Sequence, residues 1–319
     1  MSAAPTSDRA AGGGAGGGAE REAERAAECA RKPILIAGPT ASGKSALALR
    51  LAERLGGAVI NADTMQVYAE WRVLTARPSR EDAARAPHLL YGHVPVSAPY
   101  STGAWLREAA AALETCRREG WRPIFAGGSG LLFTALTEGL AELPPVRPET
   151  RAAATARLEA LGRERFAAAL AARDPATAAA IDLANPMRLL RAWETLEETG
   201  EGLAAHWART APPLLPAETC ATRLLVPDRE RLRTRIADRF DAMLAEGALE
   251  ETAAAMALDP PPTAQAWMAH GARALAAHLR GEISLEAARE TAVLDTRRYA
   301  KRQATWARGR MGAWRARPV

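Results

Sequence analysis

The chain has 319 residues, 48 % hydrophobic and 25 % charged, enough for an ordinary buried core of the soluble globular class and for one large domain or a core with an insertion. No apolar run reaches bilayer-spanning length, the N-terminus lacks a signal-peptide stretch, and the three cysteines (Cys29, Cys116, Cys220) form no C-x-x-C pair, so a disulfide framework and a local zinc knuckle are not expected and a reducing cytoplasm is the expected compartment. The net charge of +5 is carried by arginine, since lysine occurs only at Lys32, Lys44 and Lys301, and leaves open either a solvated surface or a polyanionic partner.

Residues 1–30 read as a tail, nearly all Gly and Ala from Ala10 to Ala19 and then alternating in charge. The apolar run 33–37 predicts a buried parallel strand, followed at once by a glycine-rich loop and by a helix over 45–55 with Leu47, Leu51 and Leu55 at helical spacing. Gly56 and Gly57 close that helix, and 58–61 reads as the next strand, lying beside the first. A second such unit follows, with a helix over 102–118, a strand over 123–126 and a Gly127–Gly130 turn into another helix. Residues 149–206 are helical and rich in Ala and Arg, 212–216 reads as a linker, 224–226 as one more strand, and 229–246 as a helix. The expected fold is α/β: a P-loop NTPase-like parallel sheet with helices on its faces, a helical insertion and a helical C-terminal region. The expected division is a core of 31–142 and 214–319 interrupted by an insertion of 143–213. The stretch from Arg297 to Arg317 interleaves arginines with Tyr299, Trp306 and Trp314, a composition suited to phosphates and stacked bases.

The strongest chemical signal is Gly38-Pro39-Thr40-Ala41-Ser42-Gly43-Lys44-Ser45, which fits G-x-x-x-x-G-K-[ST] between a strand and a helix. Its amides converge on phosphate oxygens at a helix N-terminus, Lys44 adds a full charge, and the Ser45 hydroxyl is the expected Mg²⁺ ligand. The loop binds phosphate without saying whether it is transferred, hydrolysed or expelled. Asp63, just past the second strand, reads either as a general base or metal ligand, or as a turn residue. His88 and His93 are read as structural, because their spacing and the lack of a nearby Cys do not make a zinc pair.

The ordered blocks GPTASGKS, NADTMQVY, LTARPS, PHLLYGHV, YSTGAWL, PIFAGGSGLL, NPMRLLRAWE and KRQATWAR resemble the tRNA dimethylallyltransferases (tRNA isopentenyltransferases, the IPP transferase family), from about Pro33 to about Arg310. The resemblance implies transfer of a dimethylallyl group from its pyrophosphate to the exocyclic N6 amine of the adenine 3′ to the anticodon. It makes Asp63 the general base, Mg²⁺ the cofactor, and Arg239 a second pyrophosphate ligand beside the loop. It further implies tRNA contacts at Asp63, Thr64, Met65, Gln66, Ser129, Arg151, Met187, Arg188, Leu189, Leu190, Arg191 and Arg273. The implied partners are the anticodon stem-loop of tRNA and dimethylallyl pyrophosphate, acting on a cytoplasmic monomer without a membrane. The chain departs from the family pattern at Ser129 (usually Thr), Arg77 (often Lys), Leu132 (often Tyr) and Ala272 (usually Tyr). A P-loop kinase, a non-catalytic RNA-binding P-loop module and a prenyltransferase acting on free adenine nucleotides are the rival readings; the basic C-terminal stretch favours a macromolecular acceptor.

Overall fold

The computed structural model describes residues 32–314 and the backbone of 316–318. The tail read over residues 1–30, with Cys29, lies outside the described residues, as does Arg315 of the basic stretch. Strands β1 (Ile34–Ala37), β2 (Gly57–Asn61), β3 (His88–Leu89), β4 (Arg122–Gly127), β5 (Ala221–Val226) and β6 (Ala316–Pro318) form one parallel sheet in the order β3-β2-β4-β1-β5-β6. β2 therefore does not lie beside β1 as expected: β4 sits between them and pairs with both. Strand order is settled by which faces the crossing helices bury, and adjacency in sequence does not carry it. The two-residue β3 and the three-residue β6, at the two edges, were not expected; neither is long enough to leave a periodic signal.

Alternation along β1 divides the core. Ile34 and Ile36 pack with Ala48, Leu49 and Ala52 of α1 (Lys44–Leu55), while Leu35 and Ala37 face the opposite side. There they meet α3 (Thr102–Glu119), α4 (Gly130–Glu138) and the end of a long C-terminal helix, through Trp105, Leu132, Phe133 and Ala307. α1 ends on Gly56 in the left-handed conformation, at φ 61°, so Gly56 alone closes the helix and Gly57 already belongs to the strand. α2 (Arg80–Arg85) is a short helix opened by a Ser79–Asp82 capping box.

Residues 139–215 leave and rejoin the sheet side by side. A Cβ on Gly139 would stand 2.5 Å from the Ala211 carbonyl, and the Leu215 N–H donates to Leu136 at 3.0 Å. Between these crossings lie α5 (Pro148–Arg173), α6 (Pro175–Ala180), α7 (Pro186–Thr199) and α8 (Leu203–Trp207). They bury their own cluster around Phe166, Leu170, Leu189 and Trp193. After β5 come α9 (Arg229–Ala245), α10 (Ala248–Ala257), α11 (Ala272–Leu279) and α12 (Leu285–Arg310). α12 packs on α11 and α9 and buries Ala288, Ala292, Ala300 and Ala307 along its length; these small side chains let it lie close to its neighbours. Among the described residues no helix is long and apolar enough to cross a membrane.

Candidate active site

The P-loop bends through left-handed backbone at Ala41 (φ 60°) and at Gly43 (φ 84°), the residue that opens α1. Gly43 makes no side-chain cap and the first turn of α1 carries no acidic residue, so the helix N-terminus faces its ligand side with amides alone. The Ser42 hydroxyl is buried without a partner among the described residues, an orphan donor that a phosphate oxygen would satisfy. Lys44 is 9 % exposed and donates to the Pro39 carbonyl at 3.4 Å. Burial lowers its pKa to about 8, against the opposing pull of the Asp63 carboxylate, with Arg239 adding to the lowering.

Asp63 is held from both ends. Its N–H donates to Asn61 Oδ1 at 2.8 Å and its carbonyl accepts from Asn61 Nδ2 at 2.9 Å. Asn61 is fully buried and its own carbonyl accepts Trp105 Nε1 at 2.8 Å, so the end of β2 is pinned into the core. The Asp63 Oδ1 accepts the Met65 N–H at 3.0 Å, leaving Oδ2 without a protein hydrogen bond among the described residues. Thr64 is positioned by Ser129, whose Oγ accepts the Thr64 N–H at 3.1 Å.

Asp63 and Met65 share one cavity with Thr40 and Ala41 of the P-loop, Arg239 of α9, and Thr296 and Tyr299 of α12. Arg239 donates to the Thr75 carbonyl at 3.4 Å, and burial disfavours its charge while Asp63 supports it. The rest of the wall is largely apolar: Leu74, Ile236, Phe240 and Met243, three of them from α9 at positions i, i+4 and i+7 around Arg239. His270 closes the cavity against Tyr299, ring centroids 4.5 Å apart; burial lowers its pKa and keeps the imidazole neutral-leaning. Burial likewise pushes the Tyr299 hydroxyl up to about 12. The loop that carries Leu74 and Thr75 is anchored by Glu251 of α10, whose carboxylate accepts the N–H groups of Arg72, Val73 and Leu74 at 2.7, 2.7 and 2.8 Å.

The remaining expected residues divide by placement. Ser45 is exposed and opens onto a separate cleft with Arg50, Arg77 and His88. Gln66 does not line the cavity: its amide is buried and donates to the Thr75 and Ala76 carbonyls at 2.9 and 3.0 Å, which fixes the loop. Met187 and Arg188 are exposed on α7, whereas Leu189 is fully buried and Leu190 packs on the same cluster, because a helix can present only one side of a five-residue run to solvent. Arg151 and Arg191 converge on the buried Glu194, at 3.3 and 3.9 Å. Arg273 is exposed and donates to the Pro262 carbonyl at 3.3 Å. Trp306 and Trp314, expected as stacking surfaces, pack inward: Trp314 is buried edge-on against Phe133 at 5.4 Å, and Trp306 lies against Gly130. Leu132 is buried in the same cluster. His88 and His93 have separate partners, the Ala86 carbonyl and the Glu108 carboxylate, each at 2.8 Å.

Sequence reasoning missed the apolar wall, His270, Glu251 and Gln303, and took Tyr299 only as one interleaved aromatic. Thr296, Tyr299 and Gln303 fall at i, i+3 and i+7 of one helix, a spacing that marks a common face but not what the face meets.

A family model described as IPP transferase matches residues 66–310, and one described as isopentenyl transferase matches 32–89. A tRNA dimethylallyltransferase of Dinoroseobacter shibae is 56 % identical over 286 residues, spanning 89 % of this chain and 94 % of that protein. One from Cereibacter sphaeroides is 55 % identical over 283 residues, covering 89 % and 88 %. Among solved structures, the tRNA isopentenylpyrophosphate transferase of Bacillus halodurans aligns with a TM-score of 0.62 at 29 % identity, over 91 % of this chain and 89 % of that one. A eukaryotic dimethylallyltransferase acting on tRNA aligns with a TM-score of 0.75 at 26 % identity, over 90 % and 74 %.

Proposed function

Because the chain belongs to the IPP transferase family, we propose that it transfers a dimethylallyl group from dimethylallyl pyrophosphate to tRNA, at the exocyclic N6 amine of the adenine 3′ to the anticodon. The observation that carries this reading is the composition of one cavity. A phosphate-binding loop, a carboxylate with an uncommitted oxygen and an apolar wall of Leu74, Ile236, Phe240 and Met243 share it. A γ-phosphate and its acceptor have no use for that wall; a five-carbon prenyl tail does.

The reaction then runs as a displacement. The N6 lone pair forms the C–N bond to the allylic carbon as the C–O bond to pyrophosphate breaks. The N6 proton passes to Asp63 Oδ2, which compensates for an amine whose lone pair is delocalised into the ring. The charge that develops on the departing oxygen is met by Lys44, Arg239 and the loop amides. Thr64 and Met65 flank the base, Ser129 holding the first of them.

Magnesium suits this site through the ligand more than through the protein. The exposed Ser45 Oγ at the start of α1 would be the protein donor, with phosphate oxygens and water as the other ligands. Bound there, it would neutralise pyrophosphate charge.

For the tRNA we assign the exposed Arg151, Met187, Arg188 and Arg273 and the half-buried Arg191 as contacts, with residues 143–213 as the module that grips the anticodon stem-loop, acting in a cytoplasmic monomer. Leu189 and Leu190 support this surface from beneath. Extruding the adenine into the cavity costs a few kcal/mol, which phosphate contacts on either side would offset.

The test incubates the protein with radiolabelled dimethylallyl pyrophosphate and either unmodified tRNA or free AMP, with ATP hydrolysis measured alongside. Label in tRNA is expected. Label in AMP alone would make it a nucleotide prenyltransferase, and γ-phosphate release without label would make it an ATPase or kinase.

A further inference from the structure

Gln303 lies on the inner face of α12, one turn beyond Tyr299, and is 8 % exposed. Its Oε1 accepts the Thr40 N–H of the P-loop at 2.9 Å, and its Nε2 donates to the Gly128 carbonyl at 2.8 Å. One amide thus joins the loop that holds phosphate to the turn that holds Thr64 beside Asp63. The seat is close: a Cβ on Gly128 would stand 2.2 Å from Gln303 Nε2, and a Cβ on Gly130 would stand 2.3 Å from the Trp306 ring.

The pairing changes what the P-loop can offer. Loop amides ordinarily point at phosphate, but the Thr40 N–H is already engaged, so the cradle begins at Ala41, where the backbone turns left-handed. Only a neutral amide can accept from Thr40 and donate to Gly128 at once. A carboxylate would lose the donor and set a negative charge beside the leaving group; an apolar chain of the same length would leave both backbone groups unpaired.

We propose that Gln303 is a positioning residue for the prenyl donor: it locks the Thr40–Ala41 bend against the Gly128–Ser129 turn, so that the leaving-group cradle and the Asp63 wall keep one spacing. The assignment rests on reading the P-loop as a pyrophosphate site, and its test needs no tRNA. Titration calorimetry with inorganic pyrophosphate, on the full chain and on Gln303→Met and Gln303→Glu, should show affinity falling about tenfold for the apolar variant and further for the acidic one. The tRNA affinity of both, read by filter binding, should stay within about twofold, the size of a small indirect effect. Gly128→Ala pushes on the same amide from the other side and should reproduce the Gln303→Met result, which covers the case of one variant failing to fold. Unchanged pyrophosphate affinity in the variants overturns the proposal, and a loss confined to tRNA binding overturns it by making Gln303 an RNA contact. If wild-type protein binds pyrophosphate but never labels tRNA, the proposed function fails while the role of Gln303 stands; if it labels tRNA and the variants bind pyrophosphate normally, the reverse holds.

Discussion

The proton-accepting role proposed for Asp63 would fall on a single oxygen, since Oδ1 is occupied by the Met65 N–H. Asp63→Asn keeps that turn bond and removes only the base, so both substrates should still bind while single-turnover transfer falls by about 10²–10⁴; near-normal transfer would remove Asp63 from the chemistry. Lys44 makes a pH prediction. With its pKa lowered to about 8 in the free protein, pyrophosphate binding requires a proton already present below that pH and taken up above it. Affinity relative to a Lys44→Arg variant, which stays charged throughout, should be level below pH 8 and decline as pH rises past it. Titrations from pH 6.5 to 9.5, a range of about three units chosen around this group, would show the break. The turns that carry Asp63 and Lys44 were legible because their neighbours in sequence are their neighbours in space. The inward packing of Gln66, Leu189, Trp306 and Trp314 was not legible for the opposite reason: whether a side chain faces outward or a core depends on an element that arrives from far along the chain.

At the level of elements, α9 sets Arg239 among Ile236, Phe240 and Met243, so one helix would meet both the charge and the tail of the proposed donor. Met243→Ala should lengthen the tail pocket and raise the preference for geranyl over dimethylallyl pyrophosphate, by kcat/KM ratio, by about tenfold or more. It should also cost about 2–5 kcal/mol of stability if the space stays empty. Glu251→Ala removes the acceptor of three backbone N–H groups in the loop that bears Leu74 and Thr75. Urea unfolding should show a loss of about 1–3 kcal/mol, and the donor KM should rise, because Thr75 holds Arg239. Most helices and the longer strands were visible in apolar spacing and glycine stops. The Glu251 anchor was not, since an acidic residue on a helix face looks like any solvated one.

For the molecule as a whole, the parallel α/β class followed from strand–helix alternation, but the placing of β4 between β1 and β2 did not. The helical segment is where charge should act at long range. Arg188 is exposed on α7 with no ion pair among the described residues, whereas Arg151 and Arg191 are tethered to Glu194. Arg188→Ala should weaken tRNA binding and reduce the slope of log affinity against log salt by about 0.7–0.9, the share of one phosphate; an unchanged slope would place the tRNA elsewhere.

The bond from Thr40 to Gln303 spans 263 positions. During synthesis the residue that seats the phosphate loop emerges 263 positions after it. At about 5–20 residues per second, that interval is on the order of ten seconds or more, in which β1, the loop and α1 exist without their brace. A ribosome-bound chain stalled before Gln303 should therefore pair β1 to β5 yet hold pyrophosphate poorly, and ligand capture would switch on only as α12 docks.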